Sequence, residues 1–141
     1  MHEEGVVHRD LHSNNVLVHK NSIKLSGFGL SKRVEDIEDD SKLFGSIPYV
    51  DPVLFKGKGG KEETISQRLE KYKKSDVYSV GVLLWELSSG KIPFNEYNVD
   101  FLLAVNIVKG IRETMVEGTP IEYYNLYNSK YKIKFLKLSK F

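Results

Sequence analysis

Two residues near the start of the chain have the types and spacing for group-transfer chemistry. They are Asp10 and, five positions later, Asn15, in the stretch His8-Arg9-Asp10-Leu11-His12-Ser13-Asn14-Asn15. A carboxylate can accept a hydroxyl proton, and a carboxamide oxygen can ligate a divalent cation. Phosphoryl transfer needs both groups. A short loop can present the two on one side if a rigid element comes directly after it, and Val16-Leu17-Val18 is such an element. A His-Arg-Asp tripeptide alone reads better as a charged loop before a hairpin, so the case rests on the motifs downstream of it.

The elements that must position this loop are legible in part. Val16-Leu17-Val18 and Ile23-Lys24-Leu25 are short apolar, partly β-branched runs around His19-Lys20-Asn21-Ser22, which predicts a small hairpin. Residues 30–75 are polar. They hold an acidic stretch (Glu35, Asp36, Glu38, Asp39, Asp40) and a basic, glycine-rich one from Lys56 to Lys61. Segment 62–74 could form a short, exposed, charged helix. From Asp76 to Ser89 the chain is apolar nearly all round, which predicts a helix buried on every face, with Ser75 as N-cap and Gly90 ending it. Asp100 is expected to cap a second helix to about Lys109, with Phe101, Ala104, Val105 and Val108 on its apolar face. Thr119-Pro120-Ile121-Glu122 reads as a capping box opening a third helix, whose apolar positions are Tyr123, Leu126 and Tyr127.

Composition narrows the function classes. The chain has 141 residues, 40% hydrophobic and 28% charged, which suits one compact folded domain. A net charge of +2 is too small to indicate a nucleic-acid or membrane partner. There is no cysteine, hence no disulfide and no thiolate metal site, which fits a cytoplasmic location. The longest apolar run, Phe101 to Val105, is far too short to span a membrane.

Several motifs in one order make the chain resemble the protein kinase family. Val7-His8-Arg9-Asp10-Leu11 with Asn15 resembles the catalytic loop. Leu25-Ser26-Gly27-Phe28-Gly29 stands in the place of the D-F-G motif, and Gly45-Ser46-Ile47-Pro48-Tyr49-Val50-Asp51-Pro52 resembles the segment ending in A-P-E. Lys74-Ser75-Asp76-Val77-Tyr78-Ser79-Val80-Gly81-Val82-Leu83-Leu84-Trp85-Glu86-Leu87 resembles the central helix of the kinase C-terminal lobe. Gly110-Ile111-Arg112-Glu113 and Gly118-Thr119-Pro120 resemble the later helical region of tyrosine-kinase-like families.

The resemblance covers roughly residues 1–128, with 129–141 a divergent basic tail. It implies a mainly α fold, a kinase-like C-lobe with one small β-hairpin beside the catalytic loop and the N-lobe absent, since only nine residues precede Asp10. It implies ATP and magnesium as cofactors and a protein as substrate or partner. Asp10 would be the base, Asn15 a magnesium ligand, and His8 and Arg9 their companions in the loop. Arg9 would pair with a phosphate on the segment that offers Ser31, Ser41, Ser46 and Tyr49. Ser46 would stand near the catalytic aspartate, and Asp76 would accept hydrogen bonds from the catalytic-loop backbone. Simple N-capping is the plainer alternative for Asp76. Trp85 is expected only to fill the core. His12 stands where serine/threonine kinases commonly carry lysine, and the acceptor choice leans to serine/threonine.

The chain also departs from the pattern. Gly27 replaces the metal-binding aspartate, and no acidic residue lies between Val16 and Arg33 to stand in for it. Losing such a ligand should cost several kcal/mol of transition-state stabilisation, on the order of 10³-fold in rate. Asp51-Pro52-Val53 replaces A-P-E, so the family's glutamate is missing. The sequence is compatible with an impaired kinase fragment, a pseudokinase-like protein-binding module, or a non-functional gene fragment.

Overall fold

The computed structural model describes residues 1–37, 45–56 and 63–131. Glu38, Asp39, Asp40, Ser41, most of the basic glycine-rich stretch and the lysine-rich tail from 132 lie outside them. Among the described residues the architecture is three α-helices and two separate two-stranded antiparallel sheets. No described helix is long and apolar enough to cross a membrane.

The first sheet pairs β1 (Val6–Val7) with a later strand, Lys32–Arg33, and so closes the loop that carries Asp10. The second is the expected hairpin, β2 (Val16–His19) against β3 (Ser22–Leu25), with Lys32–Arg33 then numbered β4. Its two-residue turn puts both Lys20 (φ 47°) and Asn21 (φ 58°) in the left-handed region, the geometry whose twist matches paired strands. The register sets Val16 opposite Leu25, which brings the residues just outside it together: the Ser26 N–H donates to the Asn15 carbonyl at 2.9 Å. Neither strand carries a fully buried residue.

The core is organised by one long helix, α1, Ile65–Ser89. The expected short helix at 62–74 and the buried helix from Asp76 are one continuous element. Its N-cap is Thr64, not Ser75: the Thr64 hydroxyl accepts from the Gln67 N–H while the Gln67 side chain accepts from the Thr64 N–H. That capping box starts the helix, and no glycine or proline interrupts it before Gly81. Glu63–Lys71 and Glu70–Lys74 ion pairs line its charged first half. Gly90, at φ 65°, ends it in the left-handed conformation as expected.

The helix is not buried on every face. Tyr72, Ser75, Asp76, Tyr78, Ser79, Val82 and Trp85 face inward, whereas Val80 and Leu87 are exposed. Tyr78, Val82 and Trp85 pack with Tyr49 and Tyr127 in the central cluster. Trp85 does more than fill space, since its indole N–H donates to the Thr114 carbonyl at 2.8 Å. A second cluster joins Val7, Val34, Ile37 and Tyr72, and so fixes β1 to the first half of α1.

Helix α2 (Asp100–Val108) buries Leu103 and Ile107 against Phe94, not the face through Phe101 and Val108, which are exposed. Residues 103 and 107 lie one turn apart and meet the apolar side of the turn after α1. Asp100 is the first helical residue, and Val99 holds the cap position without a side-chain bond. Helix α3 (Ile121–Tyr131) lies on α1, and Tyr127 is fully buried there. Tyr123 is partly buried and donates its hydroxyl to the Leu84 carbonyl, but Leu126, expected on the apolar face, is exposed.

Candidate active site

The loop from His8 to Asn15 is held by a carboxylate 67 residues away from Arg9. Asp76 sits mid-helix, nearly fully buried, and is not an N-cap. Its Oδ2 accepts from the His8 N–H at 2.9 Å and its Oδ1 from the Arg9 N–H at 3.0 Å. The His2 ring adds a third contact, Nε2 to Oδ2 at 2.6 Å. A buried carboxylate needs partners of this kind, and charge-assisted bonds to main-chain donors are strong ones. Arg9 itself lies at φ 70°, where a non-glycine residue is strained. The Asp76 bonds offset that strain and so define the loop. Sequence reasoning missed His2; only its position, eight residues before Asp10, could have suggested it.

His8 is fully buried with both ring nitrogens engaged. Nε2 is 2.8 Å from the Ser26 carbonyl, and Nδ1 accepts from the Asp10 N–H at 3.3 Å. The ring thus serves as a bracket between the loop and the residue that follows the hairpin. Its face packs on Phe28 at 5.0 Å, and the Ser31 hydroxyl donates to its carbonyl. Arg9 lays its guanidinium over the Tyr72 ring, 5.3 Å from the centroid.

Asp10, Asn15 and His12 form one polar group. The Asn15 amino group donates to the Asp10 carbonyl at 2.8 Å and to Asp10 Oδ2 at 3.3 Å, and lies 3.0 Å from His12 Nε2. His12 Nε2 is also 3.5 Å from Asp10 Oδ2. Gly27 lies directly beside this group at φ 76°. A Cβ placed on it would fall closer than 3.0 Å to Cγ, Oδ1 and Nδ2 of Asn15. The magnesium implied by the family resemblance lacks its carboxylate ligand in the residues as they stand. Position 27 offers no side-chain oxygen, and the Asn15 carboxamide occupies the space a side chain there would use. Among the described residues no cluster of three or more His, Cys, Asp or Glu could hold a metal.

The expected acceptor residues separate. Ser46 is exposed. Tyr49 is buried and donates its hydroxyl to Glu86 Oε2 at 2.6 Å, so it is not an accessible phosphoacceptor. Burial and the Glu86 carboxylate push its phenol up to about 12. Gly45, next to Ser46, approaches Asp10: a Cβ there would lie 3.3 Å from Asp10 Oδ1. Val53, in place of the family's glutamate, is exposed, while Asp51 is buried and accepts from the Val53 N–H at 2.8 Å.

One apolar surface feature adjoins the site. A groove of about 510 Å³ runs between the hairpin and α1, lined by Val16, Val18, Ile23, Val80, Leu83 and Leu87 among others. Its aliphatic side chains are legible in the sequence, but their pattern there reads as core.

Residues 1–137 match the protein kinase domain. Similar proteins include a probable LIM domain-containing serine/threonine-protein kinase of Dictyostelium discoideum, 35% identical over 127 residues, covering 89% of this chain and 12% of that protein. A second such kinase of the same organism is 35% identical over 127 residues, with 89% and 18% covered. Mitogen-activated protein kinase kinase kinase 13 of Homo sapiens is 34% identical over 97 residues, with 68% and 9% covered. The chain thus spans less than a fifth of the length of these relatives.

Proposed function

The chain belongs to the protein kinase domain family, and from that membership we propose that it is the helical C-terminal lobe of such a domain, of serine/threonine lineage, with phosphotransfer impaired. The lobe proper occupies 1–128, and 129–141 is a divergent basic tail. Asp10 holds the position of the base, His8 and Asp76 set its loop, and Arg9 braces the loop against α1. The observation that carries the impairment is Gly27: no carboxylate stands at the metal position, and Asn15 is turned into the space beside it. ATP and magnesium are the family's cofactors, and a protein is its substrate class. This reading expects neither cofactor to be used productively here.

The test is a chimera in which the N-terminal lobe of the Dictyostelium discoideum relative precedes residue 1. Phosphotransfer from ATP to a generic protein substrate is measured with Gly27 kept and with Gly27→Asp. Activity should appear only with aspartate, and Asp10→Asn should then abolish it. Equal activity with Gly27 kept sinks the impairment.

The aliphatic groove favours a second reading, a pseudokinase-like module that binds protein, because exposed apolar strips of this kind mark interaction surfaces. Photo-crosslinking from position 87 in cells examines it. If Val18→Lys with Ile23→Lys leaves the captured proteins unchanged, the groove is not the binding surface.

A further inference from the structure

We infer that the first turns of α1 are a strap, with Arg68 as the latch by which it holds residues 34–37, the residues that follow β4. The inference goes beyond the proposed function to how this stretch is kept in place beside the Asp10 loop.

The stretch 65–74 is charged, yet it is the start of the same helix whose middle carries Asp76. It adds about 15 Å of helix ahead of Ser75. That length carries α1 past Tyr72 to the residues after β4. The Arg68 guanidinium donates from Nη1 to the Ile37 carbonyl at 2.7 Å. Its Nε is buried and meets no acceptor among the described residues, so the side chain is committed to this contact rather than to water. Leu69 and Tyr72 pack in the cluster that buries Val7, Val34 and Ile37. Residues 68 and 72 lie one turn apart on the helix.

The held residues have little to hold them otherwise. Val34–Asp36 is a single 3₁₀ turn, and β4 ahead of it is two residues long. The Val34 N–H donates to the Gly5 carbonyl at 3.1 Å, and the Ile37 N–H to the Val34 carbonyl at 3.3 Å. One isolated turn does not sustain itself in water, so its order comes from what it packs on. At the far end of the strap the Thr64–Gln67 capping box keeps the first turn wound, and the Arg68 N–H donates to the Thr64 carbonyl at 2.9 Å. At the near end Tyr72 carries the hold to the loop, since the Arg9 guanidinium lies over its ring. The hold is built from the chain's own groups, so residues 34–37 keep their place with no modification of the segment.

Site-resolved amide exchange on the full, unmodified chain tests the strap. Rates are taken relative to amides of the second half of α1, which register any change in global stability. In the wild type the Val34 and Ile37 amides should be protected, and Arg68→Ala should raise their exchange about tenfold. Thr64→Ala, at an exposed position, should raise it about fivefold although the substitution lies at the other end of the strap. In an Arg68→Ala background it should add nothing, because the latch is already open. A cap with only a local role would speed exchange near Gln67 and leave Val34 and Ile37 unchanged. Unprotected Val34 and Ile37 amides in the wild type overturn the strap, as does unchanged exchange there in Arg68→Ala or an equal rise from Thr64→Ala in both backgrounds. If Arg68→Ala fails to fold, Thr64→Ala decides alone: no rise at Val34 and Ile37 overturns the strap. None of these readings involves Gly27. An active Gly27 chimera removes the impairment and leaves the strap standing, while unchanged exchange removes the strap and leaves the impairment.

Discussion

The N–H of Arg9 donates to Oδ1 of Asp76 at 3.0 Å, so a residue held at φ 70° is tied to the middle of the longest helix. Strain at the loop and burial of the carboxylate are thereby offset by the same bonds.

Removing that anchor should cost more than loss of an ordinary helix cap, which is worth about 1 kcal/mol. Asp76→Ala leaves the His8 and Arg9 N–H groups and the His2 ring without their acceptor. The expected loss is about 2–5 kcal/mol, since each buried donor left without its acceptor costs about 1–3 kcal/mol. Urea unfolding of Asp76→Ala measures it, and a loss near the ~1 kcal/mol of a simple cap would show the anchor to be dispensable.

Trp85 should be the costliest single truncation in α1. It is buried in the central cluster and ties the 111–116 segment to the helix through Thr114. Trp85→Ala is expected to destabilise by about 3–5 kcal/mol. Leu84→Ala should cost less, because Leu84 is only partly buried. In hydrogen exchange the second half of α1 should be the most protected segment and the hairpin β2–β3 among the least.

Alkaline pH should unfold the chain through its buried tyrosines. Tyr49 and Tyr78 are raised from the ordinary 10.0 to about 12, chiefly by burial, with Glu86 adding to the effect at Tyr49. Folding therefore favours the protonated phenols. Their contribution is complete below pH 10 and is lost as pH rises through about 10 to about 12. Phenolate absorbance should show both ionising late in the folded chain, and Tyr78→Phe should flatten the alkaline fall in stability. An unchanged fall in that variant would count against the assignment.

Magnesium-ATP should bind the 141-residue chain weakly or not at all. Position 27 supplies no carboxylate to hold the metal ion that the nucleotide phosphates need. Calorimetric titration should show no saturation at micromolar nucleotide. A micromolar dissociation constant would require a binding mode that does not use these residues.

The features legible in the sequence are those set by residue type at fixed spacing. The hairpin is dictated by two apolar runs around Lys20 and Asn21, and the order of the loop motifs identifies the family. The start of α1 is obscured because the charged stretch before Asp76 resembles a surface helix, and only the Thr64 and Gln67 pair marks where the helix begins. Its exposed side is hidden because Val80 and Leu87 are as apolar as Val82; which of them meets a neighbour depends on where the hairpin lies. Tyr49 reads as an acceptor by position but is buried against α1, where its hydroxyl meets Glu86. The inward turn of Asn15 has no sequence signal at all. The Asn15 amino group bonds to Asp10 beside a glycine twelve residues away in the chain.

Asn15 and Gly27 stand just outside the open end of a ribbon with no buried residue on either strand. An isolated two-stranded ribbon is marginal in water. Each time it unzips, the Ser26–Asn15 bond parts and the two residues drift apart; each time it closes, they are brought back into register. Amide exchange along Val16 to His19 therefore times how often the site is dismantled and remade, whatever the persistence of the helices beneath it.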